Sequence, residues 1–211
     1  MNLESDRTAQ GLFGWPGAGV SQSLVEVLGV PSDVGNGIAS GVRFGPEAIR
    51  AASLRLPHPG IAGVDRGDVA GVHTCDWSEV LARAQRAVED IVGRGAIPLL
   101  LGGDHAVSYA AVAALRGRGP LNIVWFDAHT DFCAWAGGDW HNHKQVLRRI
   151  SGLAHVGRIV QIGHRGITYF DESQQSPQMQ VVTANAAPSL SVRALLDFLP
   201  ADEPVYVSVD I

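Results

Sequence analysis

The chain has few cysteines and no strong excess of charge of either sign. Its two cysteines, Cys75 and Cys133, are too few for a disulfide framework in 211 residues. The formal net charge is −5, from 16 basic and 21 acidic side chains, and there is no basic tail or long charge run. Nucleic acid is therefore not an expected partner.

Long apolar runs are also missing. No run of about 18 apolar residues occurs, so we expect no membrane span. Residues 1–7 are polar and include acids, unlike a signal peptide, and a cytoplasmic location is the expectation. The glycines between residues 35 and 45 are not followed by Gly-Lys-Ser/Thr, which argues against a phosphate-binding loop.

The apolar pattern predicts strands that alternate with helices. The clearest helix is 77–94, where apolar residues recur at helical spacing, and apolar runs such as 97–101 and 122–127 predict buried strands. Such alternation indicates βαβ units and a mostly parallel sheet, hence an α/β fold. We expect residues 1–22 to be an irregular N-terminal segment and residues 23–211 to form one α/β domain.

The stretch 122–131 begins as an apolar strand and ends in three metal-binding residue types. Asp127, His129 and Asp131 are two residues apart, a spacing that on extended backbone directs all three side chains to one side. The carboxyl end of a buried strand is also where open α/β sheets bind their ligands.

Two further strands end in the same way, at Asp104-His105 and at Asp210. Asp104 has an alternative role as the cap of the next helix. The candidate metal ligands are His105, Asp127, His129, Asp131 and Asp210. They exceed what one tetrahedral zinc needs and suit two metals that share carboxylates. Oxygen and nitrogen donors favour Mn²⁺, Fe²⁺, Co²⁺, Ni²⁺ or Zn²⁺, and the expected reaction is metal-assisted hydrolysis.

These residues resemble the signatures of a known family. Residues 102–105, 127–131 and 208–210 are similar to the three metal signatures of the ureohydrolases, the arginase and agmatinase family. Residues 29–35 and 41–50 resemble the N-terminal signature of that family, and the resemblance runs from about residue 24 to residue 211. It implies an arginase-like, three-layer α/β/α fold around a mostly parallel sheet.

The resemblance also implies a dinuclear manganese centre, with Ni²⁺, Zn²⁺, Co²⁺ and Fe²⁺ as alternatives. A metal-bridging hydroxide would attack the guanidinium carbon of a small guanidino substrate and release urea. By position, His105 and Asp131 would bind one metal and His129 the other, while Asp127 and Asp210 would bridge them. The family's catalytic histidine falls on His143 in an ungapped comparison, with His141 as the competing candidate.

Departures from the family pattern bear on the substrate. Cys133 stands where arginases carry an asparagine, which disfavours arginase and leaves agmatinase-like enzymes or guanidino-carboxylate hydrolases of the guanidinobutyrate type. Lys144 replaces the glycine after the catalytic histidine, and its charge, or that of Arg148 or Arg149, could bind a substrate carboxylate.

The last family signature continues for two more positions to another aspartate, whereas the sequence ends at Ile211. We therefore expect a chain truncated at its C-terminus, with a second-metal ligand missing and the activity of these residues alone in doubt. For the full-length protein the family implies a homo-oligomer, a trimer or hexamer. The alternatives are a non-catalytic metal-binding or assembly partner and another two-metal hydrolase.

Overall fold

The computed structural model describes residues 11–17, 24–35, 40–72, 75–133, 142–166 and 177–211. The strands are Val25–Val30 (β1), Gly63–Asp68 (β2), Ile97–Gly102 (β3), Leu121–Phe126 (β4), Val156–His164 (β5), Met179–Thr183 (β6) and Val205–Val209 (β7). The α-helices are Gly45–Ser53 (α1), Trp77–Gly93 (α2), Ser108–Ala114 (α3), Val146–Ser151 (α4) and Val192–Leu196 (α5). No helix in these stretches is long and apolar enough to cross a membrane.

The strands form two hydrogen-bonded sheets, with orders β2-β1-β3 and β6-β5-β4-β7. Every strand pair in them is parallel, which confirms the predicted α/β class. The sheets belong to two compact units, Met1–Val107 and Ser108–Ile211. The single domain expected over residues 23–211 stays a prediction, because an alternating pattern of strands and helices does not specify which strands share a sheet.

The N-terminal unit is built on β1, the central strand of its sheet. Every residue of β1 after Val25 is buried. Helix α2 packs against β1 and β3, and Asp76 caps it by accepting a hydrogen bond from the Glu79 N–H at 2.9 Å. The buried residues of α2 recur every three or four positions, as an amphipathic helix requires: Trp77, Val80, Leu81, Ala84, Val88 and Ile91.

Part of the N-terminal segment expected to be irregular packs onto this unit. Residues 11–17 contain a short 3-10 helix, Leu12–Gly14, and the Leu12 N–H donates to the buried Asp65 carboxylate at 2.8 Å. Two residues of the segment share an apolar cluster with residues of β1 and β3: Leu12, Trp15, Val27 and Leu101. The rest of the predicted segment, 1–10 and 18–22, lies outside the described residues.

The C-terminal unit is built on β4, which lies between β5 and β7. Phe126, at the end of β4, is level with Ile162 of β5 and with Val209 of β7. The carboxyl ends of three parallel strands therefore meet at one edge of the sheet. Helix α4 packs against β5 and α3. Small residues on α3 permit this close packing, and the buried ones are Ser108, Ala110, Ala111 and Ala114.

A buried carboxylate on β1 joins three parts of the N-terminal unit. Glu26 is 2% exposed and accepts hydrogen bonds from Arg66 of β2 and from Arg94, which follows α2. The hydrogen bonds from Arg66, and next those from Arg94, lower the pKa of Glu26 to about 2, although desolvation opposes them. Folding therefore favours the ionised carboxylate.

We predict that Glu26→Gln lowers the free energy of unfolding by about 2 kcal/mol near neutral pH, because both arginines lose a charged acceptor. The folded pKa lies below the unfolded value of about 4.3, so ionised Glu26 stabilises the fold above that pH. This contribution is lost as the pH falls towards about 2. In urea titrations, the difference between wild type and variant should narrow from about pH 5 to about pH 3.

Glu79→Gln is the matched control. It makes the same charge change in the exposed pair that Glu79 forms with Arg83 on α2, and exposed pairs contribute little to stability. The two variants should therefore differ clearly in their free energies of unfolding near neutral pH. Equal losses would contradict a special contribution of the buried Glu26 network.

Candidate metal centre

Two carboxylates meet at the carboxyl ends of β4 and β7. Asp127 directly follows β4 and Asp210 directly follows β7. These strands are neighbours, and the Asp210 N–H donates to the Phe126 carbonyl at 2.9 Å. A carboxylate oxygen of Asp127 and one of Asp210 lie within 4.8 Å of each other. Parallel pairing thus brings together two of the predicted ligands.

The carboxylate of Asp127 is held in a fixed orientation. Asp127 is buried, and its Oδ2 accepts a hydrogen bond from the indole N–H of Trp125 at 3.1 Å. Its Oδ1 accepts one from the main-chain N–H of His129 at 2.8 Å. A carboxylate oxygen carries two lone pairs, so an oxygen that accepts a hydrogen bond can also coordinate a metal. This geometry suits the predicted bridging role of Asp127.

His129 lies beside this carboxylate but faces solvent. Its side chain is 76% exposed, and its Nδ1 is 3.4 Å from Oδ1 of Asp127. Neither His129 nor Asp131 comes within the same 4.8 Å of both Asp127 and Asp210. The structure therefore brings Asp127 and Asp210 together directly, with His129 adjacent, while the assignment of His129 and Asp131 as ligands stays a prediction.

The backbone of residues 127–131, the predicted ligand segment, bends at Asp131. This differs from the extended conformation expected through Asp131. Asp131 has a φ of 48°, in the left-handed region. Its carbonyl accepts hydrogen bonds from the N–H groups of Leu147 at 3.0 Å and Arg148 at 3.3 Å, both on α4. The backbone after Asp127 is therefore held by hydrogen bonds to α4 and does not continue the strand.

The end of β5 supports the same segment from the neighbouring position in the sheet. Gln161 is fully buried, and its Nε2 donates to the carbonyls of Asp127 at 3.1 Å and His129 at 2.7 Å. The Asp127 N–H donates to the Ile162 carbonyl at 3.0 Å. These hydrogen bonds connect the predicted ligand segment to β5.

Sequence reasoning missed the supporting roles of Trp125 and Gln161. Both lie inside apolar strands, and Trp125 belongs to a hydrophobic run that by itself indicates only burial. The sequence did contain one signal of such a role, because Gln161 is a polar residue in the middle of the apolar strand predicted at 158–163. Most buried side-chain donors have a hydrogen-bond acceptor, and the acceptors of Gln161 are carbonyls of the segment that follows the neighbouring strand β4.

His105 belongs to the N-terminal unit, where it is the first residue of the 3-10 helix His105–Val107 that follows β3. Asp104 caps this helix, because its Oδ1 accepts a hydrogen bond from the Ala106 N–H at 2.8 Å. The capping role considered for Asp104 is therefore confirmed. The role of His105 as a metal ligand stays a prediction.

The two candidate catalytic histidines differ in what the structure describes. His143 is half-buried and is the first residue of the 3-10 helix His143–Gln145, directly before α4. His141 lies outside the described residues. The choice between them stays a prediction.

Cys133 is buried beside two cations of the segment that leads into α4. Its main-chain N–H donates to the Lys144 carbonyl at 2.8 Å. Burial raises the pKa of the Cys133 thiol, and the positive charges of Lys144 and Arg148 oppose this rise without cancelling it. With no metal bound, the thiol is therefore protonated at neutral pH.

Open α/β sheets bind their ligands at the carboxyl ends of the strands, which is where Asp127 and Asp210 lie. Residues 23–211 match the model of the arginase family. The chain belongs to the arginase family, which confirms the resemblance seen in its sequence motifs.

Curated relatives include the mitochondrial agmatinase of Gallus gallus and the guanidinobutyrase of Pseudomonas aeruginosa. Each is 32% identical over 203 residues, which cover 87% of this chain. The matched region spans 59% and 63% of those two proteins, so the chain corresponds to about six-tenths of their length.

Among solved structures, the proclavaminate amidino hydrolase from Streptomyces clavuligerus matches with a TM-score of 0.79 and 30% identity. The match covers 95% of this chain and 73% of that one. An arginase from Bacillus subtilis matches with a TM-score of 0.72 and 26% identity, covering 88% of this chain and 73% of that one. The arginase-like α/β fold is thereby confirmed.

We predict that Asp210→Asn weakens Mn²⁺ binding by more than the roughly 10–100-fold that loss of an outer-shell partner costs, because a neutral amide replaces a carboxylate. In thermal unfolding, the rise in midpoint caused by Mn²⁺ should therefore largely disappear. Without metal, the variant should be at least as stable as the wild type, since two like charges no longer repel.

The control for this prediction is Asp202→Asn, an exposed aspartate in the turn before β7. It should leave the Mn²⁺-dependent shift intact. An Asp210→Asn protein that keeps the full shift would show that this carboxylate does not bind the ion.

Proposed function

We propose that the intact protein is a metal-dependent hydrolase that cleaves the guanidino group of a small substrate, agmatine or a similar compound, and releases urea. The observation that carries this proposal is the pair formed by Asp127 and Asp210, whose carboxylates lie within 4.8 Å of each other at adjacent strand ends. Membership of the arginase family supports it, as do relatives named agmatinase, guanidino acid hydrolase and guanidinobutyrase.

The donor chemistry fits a centre for divalent cations. Two carboxylates at this separation repel each other, and a divalent cation between them would reverse the sign of that interaction. Carboxylate and imidazole donors without a thiolate suit Mn²⁺, with Ni²⁺, Zn²⁺, Co²⁺ and Fe²⁺ as alternatives. We propose two Mn²⁺ ions, and the proposed ligands are His105, Asp127, His129, Asp131 and Asp210.

When bound, such ions lower the pKa of coordinated water and supply a nucleophile at neutral pH. The protein contributes orientation: the indole of Trp125 and the His129 N–H fix the Asp127 carboxylate before substrate arrives. Hydrolysis breaks the bond between the guanidino carbon and the substrate-chain nitrogen, which must gain a proton as it leaves. We assign delivery of this proton to His143, with His141 as the alternative.

A guanidino-carboxylate is the second candidate substrate, and one group of side chains favours it. The positive charges of Lys144 and Arg148 lie close enough to Cys133 to act on its thiol, two residues beyond the proposed ligand Asp131. Asn142 is 3% exposed, and neither of its amide atoms has a hydrogen-bond partner among the described residues. Two cations and a buried amide would bind the carboxylate of a guanidino acid better than they would bind the cationic amino end of agmatine.

The proposal extends to assembly: the intact protein would form a homo-oligomer, a trimer or hexamer. A cytoplasmic location also stays a prediction. The alternative from another functional class is a non-catalytic family member that binds metal or assembles with an active homologue. Another two-metal hydrolase chemistry would differ by releasing no urea.

We predict that the intact protein releases urea only when it is loaded with metal. Purified protein would be incubated with Mn²⁺, Ni²⁺ or Zn²⁺ and offered agmatine, guanidinobutyrate, guanidine and arginine. Asp127→Asn should abolish urea release, because it removes a proposed bridging ligand, while Asp202→Asn should retain it. Bound metal with no urea from any of these substrates would favour another hydrolase chemistry or the non-catalytic alternative.

We predict that Lys144→Ala lowers kcat/KM for guanidinobutyrate by about tenfold, which corresponds to loss of about 1.4 kcal/mol of binding to the substrate carboxylate. The value for agmatine should stay the same or rise, because a cation near its amino end has been removed. Arg193→Ala, which removes an 85%-exposed cation on α5, is the control and should change neither value. Parallel losses for both substrates would contradict a carboxylate-binding role of Lys144.

A further inference from the structure

The side chain of Gln161 bonds two carbonyls of the predicted ligand segment, residues 127–131. It is 0% exposed and lies on β5. Its Nε2 donates both of its hydrogens, to the Asp127 carbonyl at 3.1 Å and to the His129 carbonyl at 2.7 Å. A single amide therefore connects the main chain of two proposed ligands.

Main-chain hydrogen bonds from the carboxyl end of β5 and from Arg165 also hold Asp127 and Ala128. The Asp127 N–H donates to the Ile162 carbonyl at 3.0 Å, and the Arg165 N–H donates to the Ala128 carbonyl at 2.9 Å. Gly163, with a φ of 100°, allows this close approach, because a Cβ there would lie 3.3 Å from the Asp127 carbonyl oxygen. Each of residues 127–129 is thus bonded to β5 or to Arg165, the residue that follows it.

A side-chain donor is needed because β4 ends at Phe126. Beyond that residue the carbonyls of Asp127 and His129 leave the strand ladder, and a buried carbonyl without a donor costs about 1–3 kcal/mol. The Oε1 atom of Gln161 is itself buried with no partner among the described residues. The amide orientation is therefore set by its two donated hydrogen bonds.

We propose that Gln161 is a positioning residue of the metal centre: by holding the carbonyls of Asp127 and His129, it sets the direction in which both ligand side chains leave the backbone. The inference rests on the proposed metal-binding function of that segment. Gln161 contacts neither metal nor substrate in this role and acts through the ligands. Partners of this kind typically change metal affinity by about 10–100-fold when they are removed.

The test compares Gln161→Leu with Asn122→Leu. Asn122 is also 0% exposed and lies on β4 at the opposite end of the same sheet. Its Nδ2 donates to Glu203 at 2.8 Å, and its Oδ1 accepts from the Arg158 N–H at 2.8 Å. Both variants therefore lose the two hydrogen bonds of a buried amide, but only the bonds of Gln161 support the ligand segment.

We predict a dissociation constant for Mn²⁺ that is about 10–100-fold higher in Gln161→Leu, and at most about threefold higher in Asn122→Leu, at a temperature where both are folded. The visible absorption of bound Co²⁺ should change in the first variant and match the wild type in the second, because only the first alters ligand orientation. Gln161→Met, which has a similar volume and no donor, should behave like Gln161→Leu and replaces it if the leucine variant does not fold.

The possible failures are distinguishable. A wild-type protein that binds no divalent metal would overturn the proposed function and with it the positioning role. A wild type that binds metal tightly, beside a Gln161→Met variant with unchanged affinity and an unchanged Co²⁺ spectrum, would overturn the positioning role alone. Equal loss of affinity in the Asn122 and Gln161 variants would also overturn it, since the effect would then follow from general destabilisation.

Discussion

Parallel pairing of β4 with β5 on one side and β7 on the other is the constraint on which the candidate site depends. The hydrogen-bond register sets Phe126 level with Ile162 and Val209, so the next residue of each strand emerges at the same edge. The β4–β7 register places Asp127 and Asp210 side by side. A shift of one residue in the β4–β7 pairing would direct the two carboxylates to opposite faces of the sheet.

The same pairing explains why the strand beside the site carries a buried amide. Once β4 ends, its continuation loses the strand ladder, and β5 replaces the missing donors with the side chain of Gln161 and the main chain of residues 162–165. Trp125 extends this support to the Asp127 side chain. The backbone and the first carboxylate are rigidly held, whereas the exposed imidazole of His129 can turn towards a bound ion.

The two units use charge in opposite ways: the N-terminal pairs centre on the buried Glu26, whereas the C-terminal pair joins the buried Asp127 to the exposed Asp210. In the N-terminal unit, Glu26 faces Arg66 and Arg94, and the opposite charges stabilise the fold. In the C-terminal unit, Asp127 faces Asp210, and the like charges repel. The first arrangement serves stability. The second is the kind of local conflict that folded proteins retain at functional sites, and a divalent cation would relieve it.

The sequence by itself determined the strands and helices, the acids at the strand ends and the family. Apolar residues at helical spacing predicted α2, and uninterrupted apolar runs predicted β3 and β4. Both signals lie in short stretches of the sequence and need no knowledge of distant contacts. Only the tertiary structure decided the bend at Asp131 and the two carbonyls held by Gln161. Periodicity encodes which face of an element is buried. It does not encode which distant backbone atom a buried polar group will meet, since that partner is chosen when the strands pair.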